Sequence, residues 1–157
     1  MAYDIVSLIP MFCAAFMGTS TFEEGKAAFR ETIPVQKMDY SVESLKHLDA
    51  YLDLLRRRRS EIKGQDYTNT VLAAGSYLGE VIRRNSERKY KWVNYQDYFP
   101  KYPKIAALVP EGLGSGAVLA NESGQMTMPI NKIIRYLEEG PENNTHFYAQ
   151  GELKARQ

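Results

Sequence analysis

Gly75 and Gly79 stand four residues apart inside Thr68 to Arg84, where Val71, Leu72, Leu78 and Ile82 recur at helical spacing. Each mid-helix glycine costs about 1 kcal/mol relative to alanine. A helix that carries that cost twice on one face is expected to receive another element at close range, because the missing Cβ atoms let a neighbour approach. The pattern demands a packed interior built around this helix. Tyr77, Glu80 and Arg84 fall on its opposing side and are expected to face away from the contact.

A second amphipathic helix is predicted from Ser41 to about Arg59. Val42, Leu45, Leu48, Leu52 and Leu55 form one apolar stripe, Ser41 is a candidate N-cap, and Arg56 to Arg59 bring cations to the C-terminal end of the helix dipole. Gly64 closes this segment. Upstream, the first 20 residues are apolar and rich in small side chains. Thr21 is placed to cap a short helix from Phe22 to Glu31, which Pro34 stops.

Beyond Arg84 the pattern changes. Tyr90 to Tyr95 is aromatic and β-branched and reads as a strand, and Pro100 and Pro103 mark a loop. Ala117 to Ala120 and Gln125 to Met128 read as two strands around the turn Asn121-Glu122-Ser123-Gly124. Pro129 then opens a helix to Glu139, with Ile130, Ile133, Ile134 and Leu137 inward, and Gly140-Pro141 ends it. Polar residues 152–157 are expected to fray. Helices first and a small antiparallel sheet later, with a further helix after the hairpin, define an α+β fold. The 157 residues, 44% apolar and 25% charged, suit one domain and exclude a disordered or collagenous chain.

Chemistry-bearing residues are sparse. Cys13 is the only cysteine and His47 and His146 the only histidines, so no disulfide framework or multi-cysteine zinc site can form, and no metal or cofactor is expected. The apolar neighbours of Cys13 favour a buried, inert thiol. His47 is expected at the surface or a helix edge, and His146 at the edge of the core. Gly112-Leu113-Gly114-Ser115-Gly116 lacks both the nucleophile-elbow and the phosphate-loop spacing and reads as turn geometry. Asp49 and Asp53 share a helix face that is expected to be solvated. Glu80 reads either as an ion pair with Arg84 one turn on, or as a partly buried group at a candidate pocket with Tyr77.

Charge is unevenly spread. Residues 56–104 carry 12 basic and 5 acidic side chains, net +7, between flanks of −4 and −2. The same stretch holds six of the chain's 18 aromatics within 13 residues, from Tyr90 to Tyr102, interleaved with lysines. Such a segment can be strand packing, a protein interface or a single-stranded nucleic-acid surface over residues 83–104. The stretch from Ile5 to Met17, broken by Pro10, is short for a bilayer, and no basic leader precedes it. A cytoplasmic location without membrane partners is expected.

Gly75-Ser76-Tyr77-Leu78-Gly79-Glu80-Val81-Ile82-Arg83-Arg84, with Lys91-Trp92-Val93, Met128-Pro129-Ile130 and Phe147-Tyr148, resembles a loose group of small bacterial domains of unknown function. Those combine a G-x-Y-x-G-E-V helix with a tryptophan strand and a proline-started helix. The likeness covers about residues 68–148 and implies a bacterial cytosolic α+β domain. It transfers no catalytic residue, and Glu80 and Trp92 carry over as motif positions alone. Together these readings make another protein the expected partner, met through Trp92, Tyr95, Tyr98, Arg83 and Arg84 by an immunity or adaptor-type module. Nucleic-acid binding and a small enzyme centred on Glu80 are the alternatives.

Overall fold

The computed structural model describes residues 4–19 and 27–155. After a 3-10 turn at Val6–Leu8, helix α1 spans Ile9–Met17, with Pro10 in its first turn, where no amide hydrogen is needed. Gly18, at φ 73°, ends it in the left-handed conformation. The cap expected at Thr21 lies outside the described residues. Of the short helix expected there, Arg30 and Glu31 belong to a single 3-10 turn, Arg30–Thr32.

Helix α2 runs Leu45–Arg57, a turn later than the apolar stripe predicts. Ser41 instead organises the preceding turn: its carbonyl accepts from the Ser44 amide and, at 2.6 Å, from the Ser44 hydroxyl. The stripe itself stands, with Leu45, Leu48, Leu52 and Leu55 fully buried. Helix α3, Gly64–Asn85, begins earlier than expected, so Gly64 opens this helix and does not close the one before. Thr70 through Ile82 are buried without interruption, which makes α3 the central pillar, packed by α1.

The glycine expectation holds on both counts. A Cβ on Gly75 would lie 2.7–2.8 Å from Ile130, and one on Gly79 would lie 2.1–2.2 Å from the Trp92 ring. Ile130 belongs to α6, Pro129–Glu139, and Trp92 to strand β1, Lys91–Asn94. β1 pairs antiparallel with β2, Ala117–Ala120, in the register Trp92 to Leu119. β2 pairs antiparallel with β3, Met126–Thr127, giving the order β1-β2-β3. The predicted hairpin turn is present: the Asn121 side-chain oxygen accepts from the Ser123 and Gln125 amides, and Gly124 sits at φ 84°.

Alternation along β1 sends Trp92 and Asn94 to one face of the sheet and Lys91 and Val93 to the other. Trp92 and Leu119 join the large core around α3. Val93, Val118 and Ala120 join a small second core with Tyr98 and Phe99. Its cover is the stretch expected as a loop, which is helical: α4 at Tyr95–Tyr98, a 3-10 turn at Phe99–Lys101 and α5 at Pro103–Ala106. Pro100 and Pro103 each occupy a first-turn position, so they start helical turns instead of breaking them.

A further helix, α7 at Thr145–Gly151, escapes the sequence reading. Its amide donors are capped by Asn144, which accepts from Phe147, and by Asp49 of α2, which accepts from Thr145 and His146. The tail expected to fray is tied down through residue 155. Arg88 pairs with Glu152 at 2.5 Å and also donates to the carbonyls of Gly151 and Lys154. The whole is an α+β fold, dominated by helix.

Candidate functional site

Glu80 lies one helical turn ahead of Arg83 and Arg84 on α3, where β1 crosses it. Arg83 grips the carboxylate with two hydrogen bonds of 2.6 and 2.9 Å, Arg84 reaches it at 3.4 Å, and the Trp92 indole donates at 2.9 Å. Burial pushes this carboxyl up, but the bonds from Arg83 and Trp92 and the two positive charges outweigh it and hold the group below its usual range. Both carboxylate oxygens are thus occupied and ionised, a positioning arrangement and a poor proton donor or acceptor. None of the main concavities among the described residues has Glu80 in its lining.

Tyr77 does not face away from the core as expected. It is fully buried, with its hydroxyl 2.7 Å from the Ser44 hydroxyl and accepting from the Tyr40 amide. Tyr77 is stacked between Tyr40 and Phe16, and Arg84 caps the stack 3.8 Å above the Tyr40 ring. Cys13, buried as expected, has its thiol pushed up to about 12 by burial and by the nearby Glu80 charge. It is no nucleophile at neutral pH. Ser115 donates to the Pro110 carbonyl and accepts from the Gly112 amide, so the glycine run is a hydrogen-bonded loop.

Asp49 and Asp53 do not form a solvated face. Asp49 accepts from the Thr145 amide and hydroxyl, both at 2.7 Å, and Asp53 from the Tyr136 hydroxyl at 2.6 Å. Burial holds the Asp49 carboxyl above its usual range even so. His146 reaches Glu43 at 3.3 Å, and His47 is half-buried on α2. Among the described residues no group of His, Cys, Asp and Glu could hold a metal ion.

The expected binding residues divide between the two faces of the sheet. Trp92, Arg83 and Arg84 meet around Glu80 on the α3 side. Tyr95 and Tyr98 lie on the other, where Tyr95 stacks on Phe99 at 4.3 Å and donates to the Val109 carbonyl. Tyr98, only 6% exposed, packs edge-on to Phe99, so it is a core ring and offers a partner little area. Phe99 is fully buried.

What this side presents instead is a strip the sequence reading passed over. From Tyr102 to Val109 the backbone makes consecutive helical turns, closed by the Ile105 amide on the Tyr102 carbonyl and the Leu108 amide on that of Ile105. Ala106 and Val109 pack onto the second core. Tyr102, Ile105 and Leu108, at three-residue intervals, emerge 39%, 36% and 83% exposed. Lys101 and Lys104 flank them. Beside the strip an open groove of about 560 Å³ runs over the outer face of the sheet, floored by Val93 and Ala120 and edged by Lys89, Lys91 and Lys101. Asp97 and Glu122 also line it, and Arg88 brings no free charge because Glu152 neutralises it. Among the described residues none of these four lysines is in an ion pair.

No family model, no curated protein and no solved structure matches this chain. Among the described residues no helix is long and apolar enough to cross a membrane.

Proposed function

We propose that the protein is a non-enzymatic binding module that covers an acidic, partly apolar surface of another protein, as an adaptor or an immunity-type protein does. The observation that carries this reading is the Tyr102–Ile105–Leu108 strip. Leu108 stands 83% exposed with the partly exposed Tyr102 and Ile105 beside it on the same run of helical turns, and a continuous exposed apolar edge of this kind marks an interaction site. An aromatic and two aliphatic side chains supply contact area, and the surrounding lysines steer and orient an acidic partner. Single-stranded nucleic acid is held by several exposed ring faces. Here Tyr95 stacks on Phe99, and Tyr98 packs edge-on to Phe99 and, at 4.7 Å, against Tyr102, so Tyr102, 39% exposed, offers only one partly open ring.

The test is retention on the immobilised full-length protein from a nuclease-treated extract of its native host, followed by identification and direct binding of the purified partner. One stoichiometric protein is expected, and it is lost when Ile105→Asp and Leu108→Asp, at positions 36% and 83% exposed, are combined in a variant that circular dichroism shows to be folded. Retention indifferent to those substitutions, or a partner that disappears on nuclease treatment, overturns the reading.

A further inference from the structure

On the other side of α4 a second concavity of about 490 Å³ opens between the start of α1, the first half of α3 and the loop before β2. Its walls are Ile5, Leu8, Phe12, Leu72 and Leu113. Phe12 and Leu72, 7% and 9% exposed, form its inner part. This volume lies within the range typical of small-molecule sites, and such sites combine an apolar lining with a few polar groups that orient the ligand. The polar residues of the lining are Gln65, Thr68, Gln96 and Glu111. Among the described residues Glu111 is the single charged residue of the lining, and no lysine, arginine or histidine contributes.

We propose that this pocket binds a small amphiphile whose apolar body lies against Phe12 and Leu72 and whose head is neutral and hydrogen-bonding, or cationic, but not anionic. An anionic head would be repelled by Glu111 with no compensating cation among the described residues of the lining, whereas an alcohol or amide can pair with the glutamines and threonine, and an ammonium gains from Glu111. The site is separate from the strip and groove of the proposed interface, and the inference does not rest on that reading.

Gly112 provides the control. It lines the pocket, its φ lies outside the left-handed range, and a Cβ there meets nothing within 4 Å. A larger side chain at Gly112 therefore starts in open space beside the pocket, and Gly112→Phe is used once thermal unfolding shows it folded. The experiment titrates the full-length protein with decanol, decylamine and decanoate below their aggregation limits, followed by methyl NMR and calorimetry. Decanol and decylamine are expected to saturate one site, shifting the methyl signals of Leu8, Leu72 and Leu113. Decanoate is expected to bind about tenfold more weakly. Gly112→Phe abolishes binding with unchanged thermal unfolding, and Glu111→Lys, on an exposed position, reverses the order of decylamine and decanoate. Absence of saturable binding by decanol and decylamine, equal binding of decanoate, or undiminished binding by the folded Gly112→Phe variant overturns the proposal.

Discussion

Single atoms decide much of this molecule. Gly79 has room for hydrogen and nothing more, because the Trp92 ring occupies the space a methyl would take. Gly79→Ala gains about 1 kcal/mol of helix propensity yet forces the ring or the helix to move, which costs about 1–3 kcal/mol. Urea unfolding is expected to show a net loss, recovered in part when Trp92 is also replaced by leucine. Ser76, one turn before Glu80, is fully buried, and among the described residues its hydroxyl has no hydrogen-bond partner. Removing an unsatisfied buried hydroxyl is neutral or favourable, so Ser76→Ala is expected to leave stability unchanged or raise it by about 1 kcal/mol. Glu80 adds a pH dependence. Its folded carboxyl titrates below its ordinary 4.5, so the stabilisation it contributes is complete above that pH and fades as pH falls through the folded value. The gap in chemical stability between wild type and Glu80→Gln should accordingly be widest near neutrality and narrow below pH 4.5; a gap that widens in acid would contradict the assignment.

Elements are held by partners far away in sequence, and this is where sequence reading loses its grip. The α3 pillar, the three strands and α6 could be read directly, since apolar periodicity, a hairpin turn and a proline at a helix start are local signals. Helix α7 could not, because two of its amide donors are satisfied by Asp49, 96 positions away from Thr145. Asp49 in turn looked like a solvated position because only the return of the chain reveals what lies over it. The same holds for the tail: Arg88 and Glu152, 64 residues apart, form a pair whose side chains are 6% and 18% exposed. Breaking a buried pair leaves a charge without compensation and costs about 3–5 kcal/mol. Deletion of residues 152–157 should therefore lower the melting temperature markedly, and Glu152→Gln should reproduce a large share of that loss. A deletion without effect would mean the tail is not an integral part of the fold.

At the scale of the whole molecule, the basic middle third divides between held and outward-facing charges. Arg58 and Arg59 lie over the rings of Phe29 and Tyr67, Arg83 and Arg84 hold Glu80, and Arg88 holds Glu152. These five arginines are held by rings or carboxylates; Arg56, Arg57 and Lys63 are exposed and, among the described residues, in no ion pair, and beside the strip the outward charge is on Lys89, Lys91, Lys101 and Lys104. The basic, aromatic character of residues 56–104 was legible in the sequence, but its distribution was not. Which rings pack inward depends on how α4 and α5 fold back over the sheet, and the exposed strip at Tyr102, Ile105 and Leu108 follows from Ala106 and Val109 being the residues that turn in. On the proposed reading, this strip, and not the Trp92–Glu80–Arg84 cluster, is the partner's contact. Its most direct test is the dissociation constant of the purified partner measured for Leu108→Asp and for Arg84→Ala. Leu108→Asp is expected to weaken binding at least about 30-fold, the loss typical of an interface hot spot, and Arg84→Ala to change it less than about threefold. The opposite order, with Arg84→Ala the damaging substitution, would contradict it.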